Sequence, residues 1–180
     1  MITKLREKFK INRKYLKCKI SLNAVLIGID YINIGINTTI LYGTRIQAVS
    51  VWKNRRYTPN IIIGKNVNIE QGVHITCANK VVIEDNVSLL PYCMITDIKH
   101  DYENIKMAPN KQGITVKKTI IKEQSSIGFG ACIMPGVVVG KHVIVGANSV
   151  VTADVPDYCV VAGIPAKIIK RYNIDNNKWE

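Results

Sequence analysis

A chain of 180 residues, 47% of them hydrophobic, can bury one substantial core, and 25 Lys and Arg against 13 Asp and Glu leave a net charge of +12. No run approaches the roughly 20 apolar residues that a membrane-spanning helix needs, and no apolar stretch of the secretory kind follows the basic start. Five cysteines (Cys18, Cys77, Cys93, Cys132, Cys159), an odd number without CxxC spacing, argue against a disulfide framework or a cysteine zinc cluster and for reduced thiols in a cytoplasmic protein.

The first segment, residues 1–24, holds eight Lys and Arg against the single acid Glu7. Its apolar positions (Ile2, Leu5, Phe9, Ile11, Tyr15, Leu16, Ile20) partly suit an amphipathic helix. Such a helix either lies on an anionic membrane surface through residues 1–20 or caps the end of the domain that follows. A second basic cluster is Lys167, Lys170 and Arg171, and the middle of the chain is nearly balanced. A continuous nucleic-acid stripe with interleaved aromatics is absent from this pattern, so no nucleic-acid partner is expected.

From residue 25 to 158 a six-residue repeat governs the chain. Aliphatic anchors recur at Ile63, Ile69 and Ile75, then Ile83, Leu89 and Ile95, then Ile121, Ile127, Ile133, Val139, Val145 and Val151, with a fainter set at Ile34, Ile40 and Ile46. Two places before most anchors stands a small or β-branched residue, as in Val67/Ile69, Cys93/Ile95, Ser125/Ile127 and Ser149/Val151. A spacing of two puts both on the same side of a strand. Gly and polar residues after the anchor, such as Gly140-Lys141-His142, are turn formers. A strand and corner of six residues cannot bury its own face, whereas stacked copies share one core. The phase slips by two between Ile75 and Ile83 and breaks from about Ile98 to Lys118, which predicts an extruded loop over 98–118. The stretch Trp52 to Pro59 also interrupts the early pattern and is expected to carry aromatic and basic groups toward an acceptor. The outward residues Cys132, Val138, Ile144 and Val150 imply a covered face.

Three segments carry a family resemblance. Ser125-Ser126-Ile127-Gly128 through Pro135-Gly136-Val137, then Gly146-Ala147-Asn148-Ser149-Val150-Val151-Thr152, then Ala162-Gly163-Ile164-Pro165-Ala166-Lys167 resemble successive motifs of the hexapeptide-repeat acyltransferases. The resemblance covers roughly residues 60–172 and looks closest to maltose and galactoside O-acetyltransferases and to the sugar O-acetyltransferases of surface-polysaccharide synthesis. It implies a mainly β, left-handed parallel β-helix, a homotrimer with active sites between subunits, and a short C-terminal helix within residues 159–180. It also implies acetyl-CoA as co-substrate, without a metal. By motif match the acetyl-CoA contacts are Ser126, Phe129, Ala147 and Thr152, with Lys167 and Lys170 near the phosphates. The family's tryptophan is Ser126 here, and its frequent lysine after Thr152 is Ala153.

Acyl transfer from a thioester to a hydroxyl needs a base for the hydroxyl proton and donors for the developing oxyanion. Of the three histidines, His74 sits mid-strand facing outward and His142 sits in a corner. His100 stands where the repeat ends and the loop begins, a common place for function, and it matches the family's catalytic histidine. The orienting partner of its other nitrogen is left open among Asp97, Asp101, Glu70 and a backbone carbonyl. Glu70, Asp97 and Tyr102 are the candidate substrate contacts. The expectation is therefore an O-acetyltransferase working on a sugar, a lipid-linked sugar or a nucleotide sugar in the cytoplasm, at or near the inner face of the membrane. The alternatives are N-acetylation of an amino sugar and a non-enzymatic solenoid scaffold. A zinc carbonic anhydrase on the same fold is excluded, because the histidines lie too far apart in the sequence.

Overall fold

The computed structural model describes residues 14–180. The expected helix over residues 1–24 falls largely on residues outside that range. The chain is already extended at β1 (Lys19–Ile20), followed by β2 (Val25–Ile27) and β3 (Ile32–Ile34). The second coil runs through β4 (Thr39–Ile40) and β5 (Arg45–Ala48), leaves as the hairpin β6 (Val51–Trp52) and β7 (Arg55–Arg56), and returns at β8 (Asn60–Ile63). The third is β9 (Asn68–Ile69), β10 (His74–Cys77) and β11 (Lys80–Ile83). The fourth is β12 (Ser88–Leu89) and β13 (Met94–Thr96), then the hairpin β14 (Ile98–His100) and β15 (Ile114–Val116), then β16 (Thr119–Ile121). The fifth is β17 (Ser126–Ile127), β18 (Cys132–Ile133) and β19 (Val138–Val139), and the sixth opens with β20 (Ile144–Val145) and β21 (Val150–Val151). Then come β22 (Cys159–Gly163), β23 (Ala166–Asn173) and β24 (Lys178–Trp179).

Successive strands go to three different parallel sheets, which form the walls of a β-helix. Wall one contains β1, β4, β9, β12, β17, β20 and β22; wall two contains β2, β5, β10, β13, β18 and β21; wall three contains β3, β8, β11, β16 and β19. Anchors stack in register, as Ile46, Ile75, Ile95, Ile133 and Val151 do on wall two. Nearly every anchor is fully buried in one continuous core. At about 25 cal/mol per Å² of apolar surface, each buried Ile contributes roughly 2–3 kcal/mol before entropy is counted. Polar members of the inward pairs bridge coils rather than waste donors: Ser125 Oγ donates to Gly140 O at 2.7 Å and accepts from Val143 N at 3.0 Å.

Two of the three corners repeat one turn. At the corner from wall three to wall one, the residue three places after each anchor is left-handed: Asn37, Asn66, Asn86, Gln124, His142 and Tyr158. At the corner from wall one to wall two the same position holds Gly43, Gly72, Tyr92, Gly130 and Asn148. All of these except Gly43 are held by their own N–H donating to a corner carbonyl of the preceding coil, as His142 N does to Glu123 O at 3.0 Å and Tyr92 N to Gln71 O at 3.0 Å. At Gly72, at φ 67°, an added Cβ would sit 2.4 Å from the Tyr92 ring, so a side chain there would have to displace that ring.

The expected C-terminal helix is absent. Ala166–Asn173 is instead β23, which folds back antiparallel on β22 with Cys159 opposite Arg171 and Gly163 opposite Ala166. The stretch is rich in Ile168, Ile169 and Tyr172, which suit a strand, and β22 offers it an otherwise unpaired edge of wall one. Among the described residues no helix is long and apolar enough to cross a membrane.

Candidate active site

Every irregularity of the repeat falls at the corner from wall two to wall three. Leu26 to Ile34 and Ile75 to Ile83 span eight positions, Ile46 to Ile63 seventeen and Ile95 to Ile121 twenty-six. Both hairpins leave the scaffold there. The eight-residue turn from Ile75 to Ile83 is clasped by Asp97. Its carboxylate is fully buried and accepts the N–H groups of Ala78 at 2.8 Å and of Asn79 and Lys80 at 2.7 Å. Cys77 Sγ lies 3.3 Å from the same carboxylate, and burial followed by that charge pushes the thiol up to about 12. Asp97 is thus committed to the backbone of the coil below, which corrects its assignment as a substrate contact or as the orienting partner of His100.

The β14–β15 hairpin pairs Ile98 with Val116, Lys99 with Thr115 and His100 with Ile114. Its tip is tied internally by Gln112, whose Nε2 donates to Asn104 O at 2.9 Å and to Met107 O at 2.7 Å while its Oε1 accepts from Asn104 N at 3.1 Å. Asp101 Oδ1 accepts from Thr115 Oγ1 at 2.7 Å. Lys99 pairs with Glu103 at 2.7 Å, and that hydrogen bond is the main reason the Glu103 carboxyl is held down at about 2. The loop is therefore an ordered shelf over the corner.

Beneath the shelf is an open cavity of about 450 Å³ lined by His100, Tyr102, Lys117, Met134, Pro135 and Thr152 together with Ile98, Lys99 and Thr115. Three of the expected site residues, His100, Tyr102 and Thr152, meet here although they lie up to fifty-two positions apart in the chain. His100 is exposed on β14, and among the described residues its ring makes no hydrogen bond; its neighbour is Trp52, with ring centroids 5.2 Å apart and planes at 66°. The sequence offered no signal for that pairing across two coils.

The other expected residues stand elsewhere. Phe129 and Ala147 are exposed at the corner from wall one to wall two, two places after their anchors. Between them and Thr152 runs the outward face of wall two, where Met94, Cys132 and Val150 are in register and half-buried. Ser126 faces outward on wall one beside Ser88 and Ile144. Lys167 and Lys170 are exposed on β23, opposite Ala162 and Val160. Glu70 sits at the corner from wall one to wall two, receiving a 3.4 Å hydrogen bond from Asn68 Nδ2, and does not reach the cavity. His74 faces outward beside Arg45; burial and then that charge lower its pKa. His142 packs at a corner against Tyr158 and Trp179. The outward apolar set Cys132, Val138, Ile144 and Val150 is spread over all three walls. The continuous outward apolar column is Ile62, Val82, Ile120 and Val138 on wall three.

A three-walled parallel β-helix with an exposed histidine on a shelf at one corner describes a class of transferase. Residues 118–153 match the family of bacterial transferase hexapeptides (six repeats). WbbJ of Escherichia coli, named as an O-acetyl transferase of lipopolysaccharide biosynthesis, is 31% identical over 156 residues, 83% of this chain and 76% of that protein. The galactoside O-acetyltransferase of Escherichia coli is 32% identical over 117 residues, 65% of this chain and 57% of its own length. Among solved structures, a mutant of AntD, an N-acyltransferase from Bacillus cereus in complex with dTDP and coenzyme A, has a TM-score of 0.75 at 21% identity over 92% of this chain and 89% of its own. The chain belongs to the bacterial hexapeptide transferase family: it is an acyltransferase, and its coil is the left-handed β-helix of that family.

Proposed function

We propose that the enzyme transfers the acetyl group of acetyl-CoA to a sugar hydroxyl in the synthesis of a surface polysaccharide, with His100 as general base. The observation that carries this reading is the cavity itself. It holds one histidine, exposed and on an ordered hairpin, beside Thr152 of the coil that resembles the family's acetyl-CoA contacts. The half-buried face of Met94, Cys132 and Val150 offers an apolar path for the pantetheine arm, from Phe129 and Ala147 at one corner to Thr152 at the next. Ser126 and the exposed cations Lys167 and Lys170 lie at the far side of that path, where anionic phosphates would be favoured. Bound there, acetyl-CoA supplies the activated acyl group. His100 takes the proton from the acceptor hydroxyl as its oxygen attacks the thioester carbon, and the thiolate leaves. Tyr102 and the cations Lys99 and Lys117 wall the acceptor side. The wall-three column of Ile62, Val82, Ile120 and Val138 supports a homotrimer. The N-terminal residues 1–20 are the part of the chain suited to meet the cytoplasmic face of a membrane that carries a lipid-linked acceptor.

The test is thiol release from acetyl-CoA against a panel of sugars and nucleotide sugars, with the product treated with hydroxylamine. His100→Ala is expected to lose on the order of 10²–10⁴-fold in turnover. A hydroxylamine-labile product establishes the ester, and a resistant one turns the reading to N-acetylation. Equal turnover by wild type and variant removes His100 from the base role.

A further inference from the structure

A general base needs its ring held, commonly through a hydrogen bond on the nitrogen that does not meet the substrate. Here Asp97 is committed to Ala78, Asn79 and Lys80, Asp101 accepts from Thr115, Glu103 is paired with Lys99, and Glu70 lies at another corner. The ring contact that His100 does make is with Trp52. We propose that Trp52 is the positioning residue of His100, holding the imidazole by an edge-to-face contact; this inference rests on the reading of His100 as the base.

The arrangement comes from the corner. The β6–β7 hairpin and the β14–β15 hairpin emerge there two coils apart, and the coil between them turns tightly through Cys77, Ala78 and Asn79 with nothing extruded. The shelf can therefore settle on the earlier hairpin. They meet a second time at Gly113, where an added Cβ would lie 2.9 Å from Asp101 Oδ2 and 3.6 Å from Arg55 Nη1. Trp52 touches His100 and is not among the residues that line the cavity, so the contact is with the ring and not with the substrate space. The pair is edge-to-face, the arrangement favoured by the ring quadrupoles. Its Nε1 is buried without a hydrogen-bond partner among the described residues. A buried orphan donor is a cost to folding, so stability alone does not select tryptophan over phenylalanine here.

Three variants and one spectroscopic signature test this. Trp52→Ala is expected to lower kcat about 10–100-fold, the scale set by misplacing a catalytic group, while KM for acetyl-CoA and for acceptor each stay within about twofold. Trp52→Phe recovers most of that turnover and melts no lower than wild type. In the His100→Ala background, Trp52→Ala has no further effect, because two residues acting as one unit are non-additive. The chain has two tryptophans, so Trp179→Phe leaves Trp52 as the sole reporter. Its fluorescence should show a quenching step as His100 protonates, and His100→Gln should remove that step. The proposal is overturned if Trp52→Ala cuts the residual activity of the His100→Ala enzyme by the same factor, if it acts only on acceptor KM, or if the quenching step is missing. Wild-type activity in His100→Ala would defeat the base assignment instead, and the quenching step would survive that result.

Discussion

The two regular corners and the corner between walls two and three are made from the same backbone under different demands. At a regular corner the chain advances six residues from anchor to anchor in every coil, and from Asn66 onward a left-handed residue at the third place donates to the coil before it. Asn37 donates to Asn66 at 3.3 Å and Asn66 to Asn86 at 3.1 Å, so even the side chains form a ladder. At the third corner the advance is four, six, eight, seventeen or twenty-six, and the longer excursions after Ile46 have fastenings of their own: the Asp97 clasp, the Gln112 staple and the Trp52–His100 contact. A stack tolerates no change of phase on its walls, because every anchor rests on the one below. It tolerates any excursion that returns to the same rung. The cavity and the proposed base therefore sit at the corner that is released from the repeat.

The largest effect should separate chemistry from scaffold. His100→Ala is expected to lose 10²–10⁴-fold in turnover with an unchanged melting temperature, as measured by circular dichroism. A drop in melting temperature with it would place His100 in the scaffold. The converse variant is Ile75→Ala on wall two, fully buried and stacked between Ile46 and Ile95. It should cost about 2–5 kcal/mol in denaturant unfolding through the lost burial and the cavity left behind. Asp97→Asn breaks the comparison from the other side. It leaves the cavity lining untouched but puts an amide NH2 where one carboxylate oxygen stood, facing one or two of the three backbone donors, and should cost about 3 kcal/mol. If it instead leaves stability unchanged and abolishes turnover, Asp97 belongs to the site.

Two smaller effects sharpen the picture of the walls. Burial pushes the Cys93 thiol up to about 12, and Cys77 stands equally high. Both should react with a thiol reagent only after unfolding, whereas half-buried Cys132 should react in the native protein and be shielded several-fold by acetyl-CoA. Labelling of Cys132 that is indifferent to acetyl-CoA would move the donor path off wall two. His74 gives the smallest effect. Its folded pKa lies below the ordinary value near 6.5, so folding disfavours its protonated form. Stability should fall as pH drops from the unfolded value through the lower folded one, and His74→Gln should flatten that limb in pH-dependent melts.

Much of this was legible in the chain. The period of six, the inward pairs and the 98–118 loop follow from Ile, Val and Gly placement, because stacking writes itself into the sequence at a fixed interval. The slip between Ile75 and Ile83 was visible too, yet its cause, Asp97, stands about twenty residues later and reads locally as a loop charge. The stretch after Pro165 was read as a helix on family likeness, where its Ile and Tyr content and the open edge of β22 favour a strand. His100 stands out in the sequence by its place at the end of the repeat. Its contact with Trp52, forty-eight positions away, depends on which corner each hairpin leaves. That is set by the count of anchors between them and by no local pattern.

The release of one corner has an evolutionary reading. A gap of twenty-six residues between Ile95 and Ile121 leaves the rungs on either side in register. Insertions, deletions and grafted hairpins at that position are absorbed while the inherited stack of isoleucines stays as it was. On the proposed function, that is where a change of acceptor would cost the fold least, in a segment whose length the stack does not police.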